Sequence, residues 1–360
     1  MRREVSTGDN SVMRPYMIMA FMAAIALPIT VWQGSNIRPV HATVQLRPNS
    51  QVNTAVSNPQ LLHTLLGHRG HVKSLAFSPN SQLLVSGGGS DNDGIIQLWN
   101  PVTGERSGRI RKAHKTGVQS LAISPDGQTL ISCSSDNRIN LWNLKNNKFS
   151  RSFVGHGSNV MSLAVSPDSR VLVSGALDGI RMWDLLQQRP LATLVRFDNS
   201  IHTVAMSPDG QTVASGDNKG VIKLWNLNTG ELIREFTGHS QIITSLAFTP
   251  DGSNLVTASR DRTIKIWSQN SHEPVRTLTG HNNWVNAIAI NPDGQTLASA
   301  GRDGVKLWNV TTGELQNTLL GTSDWVSAIA FSPDGQTLAS GSFDGKVTIW
   351  AMSTAASYAP

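Results

Sequence analysis

The chain has 360 residues, 39% of them hydrophobic, with 31 Gly and 16 Pro, a composition that excludes a disordered or fibrous protein and requires many turns around a real core. The formal charge of +6 is concentrated at one end: residues 1–60 hold five Arg and two acids, and residues 61 onward hold 25 basic and 22 acidic residues, a net of +3. That balance excludes a nucleic-acid footprint, and the single cysteine, Cys133, excludes an internal disulfide.

Residues 1–42 read as a membrane-targeting segment. Residues 16–32, YMIMAFMAAIALPITVW, carry no charge and follow Arg2, Arg3 and Arg14. Two readings stand: a secretory signal peptide cleaved after Ala42, or a signal anchor that keeps contact with the membrane through residues 16–32. Both place the rest of the chain on the noncytoplasmic side, exported or membrane-anchored, because the arginines favour an inside N-terminus. Residues 43–60, TVQLRPNSQVNTAVSNPQ, are polar and lack a sustained period, so they read as a solvated linker.

From residue 61 the chain repeats. Trp99, Trp142, Trp183, Trp225, Trp267, Trp308 and Trp350 recur at intervals of 43, 41, 42, 42, 41 and 42 residues. Each repeat has four short β signals separated by turns, as in ELIREFTGH, IITSLAFTPDG, SNLVTAS and RDRTIKIWS, which make one small antiparallel sheet. The near-identical turns SPDGQTL, SPDGQTV and NPDGQTL are hairpin bends, with Pro presetting φ and Gly accepting the positive φ that closes them. Small sheets cannot bury both faces alone, so seven must stack radially, and the strands SLAF, AIAI and AIAF carry the small residues that the narrow inner end requires.

Gly-His near the start of a repeat, Asp in a turn and Trp-Asp or Trp-Asn at its end resemble the WD-repeat β-propellers, over residues 61–351; the dense SPDGQTLASG and TGEL phrasing is similar to bacterial, especially cyanobacterial, members. The resemblance implies an all-β, seven-bladed propeller of four-stranded blades. Because LLHTLLGH opens with a strand that lacks its own sheet, and only the tail 352–360 follows the last repeat, this strand is expected to complete the last blade.

The resemblance also implies a hydrogen-bonded tetrad in each complete repeat: His68, Ser86, Asp93 and Trp99, the last acid lying across a longer turn; His114, Ser132, Asp136 and Trp142; His156, Ser174, Asp178 and Trp183; His239, Thr257, Asp261 and Trp267; and His281, Ser299, Asp303 and Trp308. Ser, His and Asp together invite a hydrolase reading, but five copies at matching spacing point to structure rather than to one activated nucleophile. In the fourth repeat Phe197 and Lys219 replace the His and Asp, and in the seventh Thr322 replaces the His while Ser340, Asp344 and Trp350 remain. The segment GGGSDNDG, residues 87–94, reads as an enlarged turn, since no helix follows it that could bind a phosphate. His68 and His71 lack a third ligand, so no metal site and no cofactor are expected.

In a radial meander, the loop entering each inner strand and the turn joining strands two and three share one rim, whereas the Pro-Asp-Gly and Thr-Gly-Glu turns lie on the other. On the first rim, aromatic and Arg residues gather in repeats five to seven: Arg260, Trp284, Arg302, Trp325 and Phe343. They either plug the channel mouth or bind a protein or peptide, since Trp and Arg supply much of the energy of protein interfaces. The expectation is a monomeric, noncatalytic interaction scaffold without nucleic-acid contacts; the alternative is an enzyme or small-ligand receptor using the central channel.

Overall fold

The computed structural model describes residues 58–352 except 91, 197–199, 269–270 and 320–324. Among these residues the strands form seven four-stranded antiparallel sheets. In blade one the chain runs from the inner strand Val72–Phe77 through Leu84–Ser90 and Asp93–Trp99 to the outer strand Arg106–His114. The inner strands of the next five blades are Val118–Ile123, Val160–Val165, Ile201–Met206, Ile243–Phe248 and Val285–Ile290. Blade seven takes Val326–Phe331, Thr337–Ser342 and Lys346–Ala351 from the end of the chain and its outer strand, Gln60–Leu66, from the beginning. This is the seven-bladed propeller that the repeat implies, closed as expected: Gln60 pairs with Ala351 and Leu66 with Lys346.

The core is divided among the seams between blades. At the closing seam, Leu65, Val347 and Ile349 of blade seven pack with Val72, Leu75, Leu84 and Trp99 of blade one. The seam between blades five and six repeats the plan, with Ile264, Ile266 and Leu278 against Val285, Ile288 and Trp308. The tryptophan of each repeat thus seals its blade against the preceding one, and burial of a large aromatic there is worth several kcal/mol per seam, about 25 cal/mol for each Å² removed from water. Close approach needs small residues on the second strand. A Cβ on Gly341 would lie 2.4 Å from Val72 Cγ1, so the closing seam leaves no room for a side chain there.

The recurrent turn is more than a Pro-Gly bend. In SPDGQT, Ser124 Oγ donates to Asp126 Oδ1 (2.5 Å) and accepts from Thr129 N (3.0 Å), while Asp126 Oδ1 accepts from Gln128 N (2.9 Å) and Gly127 takes φ +72°. The same bonds recur at Ser207, Asp209 and Thr212 and at Ser332, Asp334 and Thr337. The Ser and Asp hydroxyl and carboxylate therefore replace the backbone partners that the reversal leaves unsatisfied. Two non-glycine substitutes, Ser81 and Ser169, accept positive φ and use their hydroxyls to latch neighbouring turns, receiving Asp334 N (3.1 Å) and Asp126 N (3.0 Å).

Residues 1–57, which include the apolar segment and the linker, lie outside the described residues. Among the described residues no helix is long and apolar enough to cross a membrane.

Candidate functional site: tethers and the upper rim

Blades two, three, five and six each close a side-chain chain of the same order. Trp142 Nε1 donates to Ser132 Oγ (2.9 Å), His114 Nε2 lies 2.8 Å from that oxygen, and His114 Nδ1 lies 3.1 Å from Asp136. The corresponding distances are 2.8, 2.7 and 2.6 Å for Trp183, Ser174, His156 and Asp178, and 2.8, 2.6 and 2.6 Å for Trp308, Ser299, His281 and Asp303. In blade five, Trp267 and His239 meet Thr257 Oγ1 at 2.9 and 2.7 Å, and His239 meets Asp261 at 2.9 Å.

Because an ionised carboxylate only accepts, Nδ1 carries the proton that faces it, and Nε2 of the neutral imidazole then accepts the hydroxyl proton while the hydroxyl oxygen accepts from the indole. The carboxylate also accepts the next backbone amide, as Asp178 accepts Gly157 N at 2.8 Å. Burial alone would raise the Asp136 carboxyl, but bonds from His114 and from the Lys115 and Arg138 amides hold it below its ordinary value. Asp178, Asp261 and Asp303 are held low in the same way. Depressed acids contribute stability above their unfolded value and lose it only as pH falls through the lowered one, so these tethers are intact at neutral pH. The serines and the threonine are fully buried, with 0% exposure, which denies any substrate access to the hydroxyl.

The structure corrects the reading of blade one. His68 Nε2 meets Ser86 Oγ at 2.7 Å and Trp99 donates to the same oxygen at 2.8 Å, but Asp93 does not join them. The longer turn lets strands two and three continue pairing to Gly89 with Gly94 and Ser90 with Asp93, so Asp93 is held at the end of the ladder. His68 Nδ1 is left buried without a partner, and burial, reinforced by the charge of Arg109, pushes the imidazole down to about 4.

In blade four Ser215 Oγ still receives Trp225 Nε1 (3.1 Å), whereas Lys219 is exposed and Phe197 lies outside the described residues. In blade seven Thr322 also lies outside them; Ser340 Oγ is buried without a hydrogen bond, and Asp344 accepts Ser342 Oγ (2.5 Å) instead.

Asp261→Ala removes the acceptor for His239, Ser240 N (3.2 Å) and the Thr263 amide and hydroxyl (3.0 and 2.7 Å). The expected cost is about 1–3 kcal/mol. Lys219→Ala, at the matching exposed position of blade four, is expected to stay within about 0.5 kcal/mol of the parent. Denaturant midpoints check this, and equal losses for the two variants would contradict a tether at Asp261.

The rim residues come together across blades. Within a blade, the amide of the residue before the turn Asp bonds to the carbonyl of the residue before the inner strand: Arg260 N to Ile242 O (3.0 Å) and Phe343 N to Trp325 O (2.9 Å). The side chain of the first then leans forward onto the next blade. Arg260 lies over the Trp284 ring at 4.5 Å, Arg302 over the Trp325 ring at 5.2 Å, and Phe343 stacks on His71 at 4.1 Å. Trp284 and Trp325 are 5.9 Å apart edge to face, and Trp325 and Phe343 are 5.4 Å apart.

All five rim residues therefore belong to one continuous stack over blades five to seven, which His71 extends into blade one. His71 occupies the same position before its inner strand as the two tryptophans, and only its stacking on Phe343 marks it as a member. Trp284 remains 38% exposed.

The stack does not fill the axis. Below it, a cavity of about 170 Å³ is lined by Lys73, Gln119, Met161, His202, Thr244 and Asn286 among others. Among the described residues no group of three His, Cys, Asp or Glu could hold a metal ion.

The fold is a seven-bladed β-propeller, and its repeats are similar to WD40 repeats. The family described as WD domain, G-beta repeat matches residues 59–100, 106–143 and 147–184, and the IFT122 first beta-propeller family matches residues 200–357. Among curated proteins, the small ribosomal subunit protein RACK1 of Glycine max and that of Medicago sativa are each 43% identical to this chain over 51 residues. RACK1z of Arabidopsis thaliana is 41% identical over 51 residues. Each match spans 14% of this chain and only 15% of the relative's length.

Proposed function

We propose that the protein is a noncatalytic interaction scaffold, a monomeric ring that offers the upper rim of blades five to seven to a protein or peptide. The observation that carries this reading is the unbroken stack Arg260, Trp284, Trp325 and Phe343, which concentrates the residue types that dominate interface energy on one sector of the rim. The buried serines of the tethers and the near-neutral charge of the ring weigh against hydrolysis and against nucleic acid as a partner.

The scaffold is exported or anchored in a membrane by residues 1–42, as Arg2, Arg3, Arg14 and the uncharged run after them favour, and its repeat phrasing suits a bacterial-type WD-repeat protein. Protease protection on fractionated cells tests this placement; a full-length protein found wholly in the soluble cytoplasm would overturn it. Hydrogen exchange on a complex captured from detergent-solubilised membranes tests the rim. Protection is expected at residues 283–286, 300–304 and 341–345. Protection confined to the turns 124–128, 207–211 and 332–336 would move the site to the lower rim.

A further inference from the structure

Resting on that reading, we infer that the rim stack selects an extended acidic peptide, holding carboxylates on Arg260 and Arg302 and an apolar side chain against the exposed ring edges between them. Guanidinium groups already lie over Trp284 and Trp325, at 4.5 and 5.2 Å, so a lysine, methylated lysine or arginine of a partner would meet a like charge where an aromatic cage would welcome it.

Stacking engages the flat face of a guanidinium and leaves its in-plane N–H groups for oxygen acceptors. Among the described residues neither arginine has a carboxylate within ion-pair distance, and Arg260 Nε is buried without an acceptor. Among the described residues, the acids that follow Arg260, Arg302 and Phe343 are already committed inside the blades. Asp261 holds His239, Asp303 holds His281 and lies 3.5 Å from Lys306, and Asp344 lies 2.7 Å from Lys346.

Each guanidinium sits on its own tryptophan, and the centroids of the two rings are 5.9 Å apart. Donors carried on two different rings suit separate carboxylates along an extended chain, which advances about 3.3 Å per residue, whereas a phosphate group is best held by donors that converge on one point.

The probe is a fluorescein-labelled peptide with a central Leu-Trp pair flanked on both sides by Glu, read by fluorescence anisotropy beside versions carrying Gln, Lys or a single phosphoserine in place of the Glu residues. The Glu peptide is expected to bind about tenfold to a hundredfold more tightly than the Gln peptide, with the advantage shrinking as salt rises. Arg260→Gln combined with Arg302→Gln should bring the Glu peptide down to the affinity of the Gln peptide and leave the latter unchanged. Trp284→Ala should weaken both. The Arg→Lys pair, which keeps charge and loses the fork, should retain part of the preference and shows that a loss in the Gln pair is not misfolding.

Equal binding of Glu and Gln peptides, preference for the Lys or phosphoserine peptide, a Glu preference that survives in the Arg→Gln pair, or no binding of any peptide would each overturn the inference. If the captured partner nevertheless protects the upper rim from exchange, only the acidic specificity fails; if it protects the lower rim, the interaction site itself is wrong.

Discussion

A chain truncated to begin at Gly67 is expected to lose cooperative folding, whereas one that begins at residue 58 should melt like the parent. Truncation removes the strand whose residues pair from Gln60 with Ala351 to Leu66 with Lys346, leaving the third strand of blade seven as a bare edge. It also removes Leu65, which is 5% exposed and packs with Val72, Trp99, Val347 and Ile349 at the closing seam. The lost burial and ladder bonds together are on the order of 5 kcal/mol, comparable to the whole stability of a typical domain. The damage is not local, because every seam core in a ring has a blade on each side and opening one seam frees both neighbours. Circular dichroism melts and gel filtration check this; a truncated chain that stays monomeric and melts with the parent's midpoint would show that the ring does not depend on its closing strand.

Much of this architecture is legible in the amino-acid order because its determinants are local. The SPDGQT turn depends on bonds among residues only two to five positions apart, such as Ser124 with Asp126 and Thr129, so identical phrasing yields identical hairpins. Tryptophan spacing reports strand count for the same reason. The tether of blade one is a different case. Three added residues between Ser86 and Asp93 can enlarge a turn or lengthen a ladder, and the run Gly87–Gly89 permits the second, which takes Asp93 away from His68. No spacing rule distinguishes those outcomes.

The rim shows the same limit. Meander topology places Arg260, Trp284, Arg302, Trp325 and Phe343 at one end of their blades. It does not say that each corner side chain leans forward onto the following blade, and that lean is what brings His71 into contact with Phe343. The serine of the recurrent turn was likewise hidden, since its hydroxyl acts through bonds that a Pro-Asp-Gly pattern does not encode.

The central claim is that the stacked sector binds and the tethers only hold. Trp325 is the hinge of that sector, half-buried and in contact with Trp284, Phe343 and the Arg302 guanidinium, yet it lies outside the hydrophobic cluster that fills the seam between blades six and seven. A tryptophan at the centre of an interface can bury roughly 150–250 Å², and losing such an anchor costs about 2 kcal/mol or more of binding. The decisive measurement is therefore the affinity of Trp325→Ala combined with Arg302→Ala for proteins captured by the parent, made beside a thermal melt of each. The account predicts binding weakened by about thirtyfold or more with an unchanged melting midpoint. Capture of the same proteins at undiminished affinity by a variant that melts like the parent would contradict it.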